Sequence, residues 1–302
     1  MQFSGTDLAL YCWFGKGVTM VIDTFIMVDW SARSAPSPLK RSKDAIFIAE
    51  RTGRDGHVTY CRTRDAATAH LITRFEAALA EGRRILAGFD FPFGYPAGFA
   101  AALTGRDDPF AVWAWMAQTV ADDARNANNR LDVADQINAR FDAPGPFWSH
   151  PTGKTPVHVP FRKPPHRGFP FAERRQVEMV AKGASTCFQL FGNGAVASQT
   201  LLGLPRLHAL KQHFGDAVAV RPFEDRPAPI LLAEVYPSIL SAAIKARQRP
   251  GEIPDAAQVR VLAQAFAALP PDRLDTMLRA GDRVEGWIAG LGHADELIDG
   301  LG

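Results

Sequence analysis

Three short apolar runs, each closed by an acidic residue, constrain the fold of this chain more than any other feature. Residues 22–30 place Ile22, Phe25, Ile26, Met27 and Val28 ahead of Asp29. Residues 84–90 read Ile85-Leu86-Ala87-Gly88-Phe89 ahead of Asp90, and residues 229–235 read Ile230-Leu231-Leu232-Ala233 ahead of Glu234. Runs this short, bounded by polar turns, are buried strands. Between the first and second, residues 45–50 and 57–62 form two further strands joined by the hairpin-type turn Arg54-Asp55-Gly56. Residues 65–82 then carry a helical stripe of Leu71, Ile72, Phe75, Ala78 and Leu79, with Gly82 as its stop. Three strands with short links make an antiparallel meander, and a helical crossover brings the 84–90 strand back parallel to the first. Asp29 and Asp90 are therefore expected at the same end of adjacent parallel strands.

The chain has 302 residues, 47% of them hydrophobic and 22% charged, with a formal charge of +2. That is enough apolar material for a full core, which excludes a disordered chain or a disulfide-stapled mini-protein. A near-neutral balance excludes a uniformly basic nucleic-acid binder and leaves charge to be read by region. Cys12, Cys61 and Cys187 are odd in number and widely spaced, so thiols in a reducing, cytoplasmic compartment are expected. No apolar run approaches the roughly 18 residues of a membrane span, and no membrane partner is expected. Residues 1–20 lack the basic start of a secretory signal and are expected to be a poorly ordered leader or an over-extended start. Residues 21–302 then form one domain with an insertion at 91–228. That insertion holds a helix over 109–127, a loop-rich stretch over 143–171 and the turn Gly192-Asn193-Gly194. A helix over 238–247 starts at Pro237, and closing helices are expected over 255–269 and 272–291.

Carboxylates are the residues with chemical potential. Asp29, Asp90 and Glu234 close strands, and ligands gather at the C-terminal edge of parallel strands. Asp282 and Glu285 are spaced i, i+3 on the expected last helix and so share a face. Like charges a few ångströms apart repel by roughly 4 kcal/mol per pair at an effective dielectric near 20. One or two Mg²⁺ or Mn²⁺ ions would remove that repulsion, because hard cations choose carboxylate oxygens. Such ions activate water and stabilise the leaving oxygen in phosphodiester hydrolysis. Each acid taken singly is equally at home as a turn former or a helix-surface residue.

The same residues carry a family resemblance. The order of meander, helix, strand, and later strand and helix is similar to the RNase H-like fold. The stretches Val28-Asp29-Trp30-Ser31-Ala32, Gly88-Phe89-Asp90-Phe91-Pro92-Phe93-Gly94, Phe188-Gln189-Leu190-Phe191-Gly192 with Gly194, Gln199-Thr200-Leu201-Leu202-Gly203 and Glu234-Val235-Tyr236-Pro237 resemble the family catalogued as domain of unknown function 429. That family is regarded as predicted nucleases of RNase H-like fold. The resemblance implies an α/β fold with a mixed sheet flanked by helices. It implies Asp29 and Asp90 as metal ligands on the first and fourth strands, Asp282 and Glu285 as closing-helix ligands, and Glu234 as a further catalytic acid. The closing motif here reads Asp282-Arg283-Val284-Glu285 where the family has Asp-x-x-Asp. The implied activity is metal-dependent phosphodiester hydrolysis on nucleic acid or a nucleotide. A non-catalytic nucleotide- or polyanion-binding accessory protein on the same scaffold is the alternative.

Charge asymmetry is marked in one stretch. Residues 154–175 hold Lys154, Arg162, Lys163, Arg167, Arg174 and Arg175 against Glu173 alone, interleaved with Phe161, Phe169 and Phe171. Such a segment could track a phosphate backbone while its rings stack on bases; a solvated loop anchored by its aromatics is the competing reading. His150, His158 and His166 recur every eight residues, a spacing that fits no zinc site. The glycines around Asn193 suit a tight turn more than a phosphate loop, since no Walker lysine follows. The aromatic stretch 91–96 could either wall a pocket or pack into the core.

Overall fold

The computed structural model describes residues 21–302; the leader expected over 1–20, with Cys12, lies outside the described residues. The chain builds a mixed α/β structure on one six-stranded sheet of order β3-β2-β1-β4-β6-β5. Strands β1 (Thr24–Asp29), β2 (Ile46–Thr52) and β3 (Asp55–Cys61) form the antiparallel meander, and helix α1 (Arg64–Ala80) leads into β4 (Ile85–Phe89). Helices α2 (Phe99–Thr104), α3 (Pro109–Thr119), α4 (Arg130–Asn138), α5 (Gln176–Val180) and α6 (Ala197–Phe214) follow, then β5 (Val218–Arg221) and β6 (Ile230–Glu234). Helices α7 (Ser241–Arg247), α8 (Pro254–Ala267), α9 (Pro271–Arg279) and α10 (Ala294–Asp299) complete the described chain. β4 lies parallel to β1, and β6 lies parallel to both β4 and β5. Among the described residues no helix is long and apolar enough to cross a membrane.

Strand alternation assigns side chains to two layers. Ile26, Val28, Ile85, Ala87 and Phe89 face one core with α1, α3 and α6, while Phe25, Met27, Phe47, Ala49 and Leu86 face the other with α8. Burial on both faces explains why these strands read as unbroken apolar runs. Residues 91–228 supply the edge strand β5, and their helices α3 and α6 pack into the same core as the sheet's first face. Gly203 of α6 sits flat against the Phe91 ring, and a Cβ there would lie 2.3 Å from its Cζ. The rings after Asp90 are core: Phe91 and Phe93 are buried, and Trp113 Nε1 donates to the Phe93 carbonyl at 2.7 Å.

Two expected helices stop short of their expected ends. The 109–127 helix stops at Thr119, because Asp123 Oδ1 accepts the Arg125 and Ala127 amides and turns the chain. The 272–291 helix stops at Arg279. Gly281 and Gly286 adopt φ of +95° and +82°, and Asp282 Oδ1 accepts the Val284 and Glu285 amides, both at 2.7 Å. That is a side-chain-stabilised turn, so Asp282 and Glu285 share no helix face. In contrast, α6 runs on past Pro205 to Phe214, although proline lacks the donor that an interior turn uses.

Two buried arginines fix the loops beyond the strand ends. Arg64, fully buried, reaches Asp122 through Nε at 2.8 Å and Nη2 at 2.5 Å, and its Nη1 donates to the Ser31 and Arg33 carbonyls at 2.9 Å. Burial alone would raise the Asp122 pKa; the hydrogen bonds and charges of Arg64 and then Arg206 outweigh it and hold the carboxyl below its ordinary value. A folded pKa below the unfolded one contributes stability above the unfolded value and loses it as pH falls through the folded value. Asp122→Asn should therefore cost about 3 kcal/mol near neutrality by leaving a buried guanidinium uncompensated. Urea denaturation should show that gap closing as the pH is lowered below the ordinary carboxylate range.

Candidate active site

The parallel register of β1 on β4 pairs Val28 with Phe89, so the next residues, Asp29 and Asp90, emerge side by side. The Trp30 amide donates to Asp90 Oδ1 at 2.7 Å, and the Asp29 and Asp90 carboxyls line one cleft close enough to perturb each other's protonation. Two carboxyls this close need a shared proton or a cation between them. Burial raises the Asp29 pKa well above the usual carboxylate range, and the charges of Asp90, Asp255 and Asp44 push it further. Burial likewise pushes Asp90 up to about 7, against the lowering effect of the Trp30 amide.

A third and a fourth acid stand beside this pair. Asp255 lies in the first turn of α8, where its Oδ2 accepts the Asp44 amide at 2.7 Å. Burial and then the Asp44 charge outweigh its hydrogen bonds and raise its pKa. Asp44 holds φ at +59° at the end of the β1–β2 link, with its carbonyl taken by Ser31 Oγ at 2.7 Å. Asp29, Asp90, Asp44 and Asp255 line an open cleft of about 450 Å³. Among the described residues, no three His, Cys, Asp or Glu side chains are already arranged as a metal cage. The Asp29–Asp90 pair is the nucleus of the site.

The cleft also carries a cation. Arg130, at the start of α4, lines the cleft with its guanidinium 5.1 Å from the centroid of the Phe191 ring. It donates to Ser198 Oγ at 3.1 Å, Ser34 Oγ at 2.9 Å and Asn128 Oδ1 at 2.7 Å, all neutral groups. Burial and the nearby Arg64 lower its pKa to about 10. Gly192 and Gly194, at φ of +101° and +74°, make the tight turn that brings Phe191 and the first turn of α6 to the cleft.

The other acids singled out in the sequence lie outside the cleft. Glu234 closes β6 but receives Arg175 Nη1 and Nη2 at 2.7 Å on its two oxygens, and the Phe93 amide at 3.0 Å. Glu285 accepts the Ala97 amide at 2.9 Å and the Gln176 amide at 2.6 Å. With Asp282 in its own turn, these three acids tie loops together. The basic stretch behaves similarly. Arg175 is 1% exposed and also pairs with Glu178 at 2.8 Å, so it is a latch and not a surface cation. Arg174 donates to the Ala184 carbonyl at 2.9 Å and Lys163 pairs with Glu173 at 2.6 Å, leaving Lys154, Arg162 and Arg167 exposed. None of the six lines the cleft. His158 sits with Asp135, whereas His166 meets the Phe171 carbonyl. Cys61 and Cys187 are buried free thiols, and burial pushes Cys61 up to about 11.

Sequence reasoning passed over Asp255, Asp44 and Arg130. Asp255 had a signal, since an acid directly after Pro254 marks a helix start pointing its first turn outward. Asp44 and Arg130 stand in polar stretches with none. Comparison with family models, curated proteins and solved structures finds no match to this chain.

The two groups of acids should respond oppositely to neutralisation. Asp29→Asn removes like-charge repulsion and should raise stability by about 1–2 kcal/mol in chelator. Glu234→Gln takes from buried Arg175 one of its two carboxylate partners and should lower it by about 3 kcal/mol. Thermal denaturation of both variants beside the wild type reads the two signs directly.

Proposed function

We propose that this chain is a metal-dependent phosphodiester hydrolase of RNase H-like architecture, with Asp29 and Asp90 as its metal-binding pair and Asp255 completing the acidic wall. One observation carries the reading: two carboxyls from adjacent parallel strand ends line one open cleft together with Arg130, which has no carboxylate partner among the described residues. The strand order, an antiparallel meander continued by parallel strands, supports the RNase H-like part, as does the resemblance to domain of unknown function 429.

The donors fit Mg²⁺ or Mn²⁺. Mg²⁺ commonly takes one or two carboxylates and fills its other positions with water and substrate phosphate oxygens, so an adjacent pair suits it better than a closed cage. A bound ion would supply an activated water and offset charge on the leaving oxygen. Asp90 is held in place by the Trp30 amide. Arg130 is positioned to take a phosphate oxygen of the substrate, since its neutral partners leave its charge uncompensated. Glu234 acts on this site by holding Arg175 and the 93–97 loop, a positioning role.

Calorimetric titration with Mn²⁺ should give binding in the wild type and none in Asp29→Asn or Asp90→Asn. A divalent-dependent cleavage of phosphodiester substrates should fall by at least about 100-fold in the same variants, with circular dichroism unchanged. Ion binding or turnover that survives both substitutions would overturn the assignment.

A further inference from the structure

A larger groove, of about 780 Å³, lies on another side of α8. Ile253, Ala256 and Arg260 line it, whereas Asp255 and Gln258 line the carboxylate cleft, so the two depressions share the first turns of one helix. Its floor is the face of β2 and β3 that carries Phe47, Ala49 and Val58. By strand alternation Arg51 projects from that same face of β2.

The rim is basic. Lys40 and Arg41 come from the β1–β2 link, Arg51 and Arg54 from the end of β2 and its hairpin turn, and Arg249 from the segment before α8. Among the described residues none of these five side chains makes an ion pair; Glu252 accepts the Arg249 backbone amide at 2.9 Å and feels the Arg249 charge, but its oxygens are taken by Arg260. The two lining acids are already engaged: Glu50 accepts from Arg74 Nε and Nη2 at 2.6 Å, and Glu252 takes Arg260 at 2.7 Å on each oxygen. Arg51 Nε is buried without a hydrogen-bond partner, which is costly for a charged donor unless a ligand supplies the acceptor. Tyr60 Oη donates to the Pro38 carbonyl at 2.8 Å and so pins the link that carries Lys40 and Arg41.

We propose that this groove binds a nucleic-acid strand through its phosphates, with Lys40, Arg41, Arg51, Arg54 and Arg249 as contacts, and leads it past the start of α8 to the Asp29–Asp90 cleft. Cations drawn from three separate segments along a groove suit a linear polyanion. A compact phosphate would want donors converging on one point. Phe47 is fully buried in the floor and offers no ring face to a base, so binding runs through the backbone and is indifferent to sequence. Only the delivery step rests on the hydrolase reading; the phosphate binding stands apart from it.

Fluorescence anisotropy of a labelled single-stranded oligonucleotide with the full chain tests this. Five phosphate contacts should give a log–log salt slope near about −3.5. Arg41→Glu/Arg54→Glu/Arg249→Glu should weaken binding by at least about 100-fold and flatten that slope, while Lys154→Glu/Arg162→Glu/Arg167→Glu should stay within about twofold. A wild type with no salt dependence, a groove variant that binds as tightly as the wild type, or loss confined to the second triple variant would each overturn the proposal. Groove-dependent binding without any Asp29-dependent cleavage would uphold the groove and sink the hydrolase reading. Asp29-dependent cleavage of the oligonucleotide that the groove variant performs undiminished would do the reverse.

Discussion

Two fully dehydrated guanidiniums, Arg64 and Arg175, decide where the loops at the functional edge of the sheet can lie. Hydrophobic burial sets the strands and the flanking helices, but it is non-directional and stops where the chain leaves the sheet. Beyond β1, β4 and β6 the chain is polar backbone that must find partners. Arg64 collects the carbonyls of Ser31 and Arg33 and the Asp122 carboxylate, tying the segment after Asp29 to the α3–α4 loop. Arg175 collects Glu178, Glu234 and the Glu285 carbonyl, tying the end of β6 to the turn after α9. A buried charge tolerates little displacement of its partners, because each lost hydrogen bond leaves desolvation unopposed. Ser31 and Arg33, whose carbonyls Arg64 holds, line the cleft.

This division gives the acids different meanings. Glu234 and Asp122 meet arginines, and Glu285 meets two backbone amides. Asp29, Asp90 and Asp255 make no ion pair among the described residues, and only one amide reaches each of Asp90 and Asp255. Burial and mutual repulsion raise all three pKa values, and no arginine or lysine pairs with any of them among the described residues. A fold selected for stability alone would place Asn at one of these positions or bring Arg130 to them. Keeping repelling carboxyls in an open cleft costs stability, and such costs concentrate where charge is used chemically.

The pairing of Asp29 with Asp90 was legible in the sequence because it follows from topology alone: two apolar runs, a meander and a right-handed crossover leave no other neighbour. Membership of Asp282 and Glu285 was misjudged for a local reason. An i, i+3 spacing means a shared face only inside a helix, and Gly281 and Gly286 at positive φ turn that segment into caps. Glu234 closes its strand as the other two acids do, yet its partner Arg175 is 59 residues away in a stretch that reads as surface. No periodicity links residues that distant. Asp255 was visible as a helix start, but only the placement of α8 against β1 and β2 brings it beside Asp29.

Charge read along a sequence is a poor guide to charge presented in space. Residues 154–175 hold six cations against one acid, and half of them are engaged by Glu173, Glu178, Glu234 and backbone carbonyls. The groove beside α8 gathers its five cations from three separate stretches, residues 40–41, 51–54 and 249. What fixes a local potential is the balance left after each charge has met its partners, and partners are set by tertiary contacts. A chain with a formal charge of +2 can therefore carry an acidic cleft and a basic groove on two sides of a single helix, α8. On the proposed reading, opposed fields so close together would orient a polyanion: the groove would attract it along its length, and the carboxyls would repel it wherever no cation stood between them and a phosphate. Approach of a phosphate to Asp29 and Asp90 would then require a metal ion, the condition under which the proposed hydrolysis would be chemically productive.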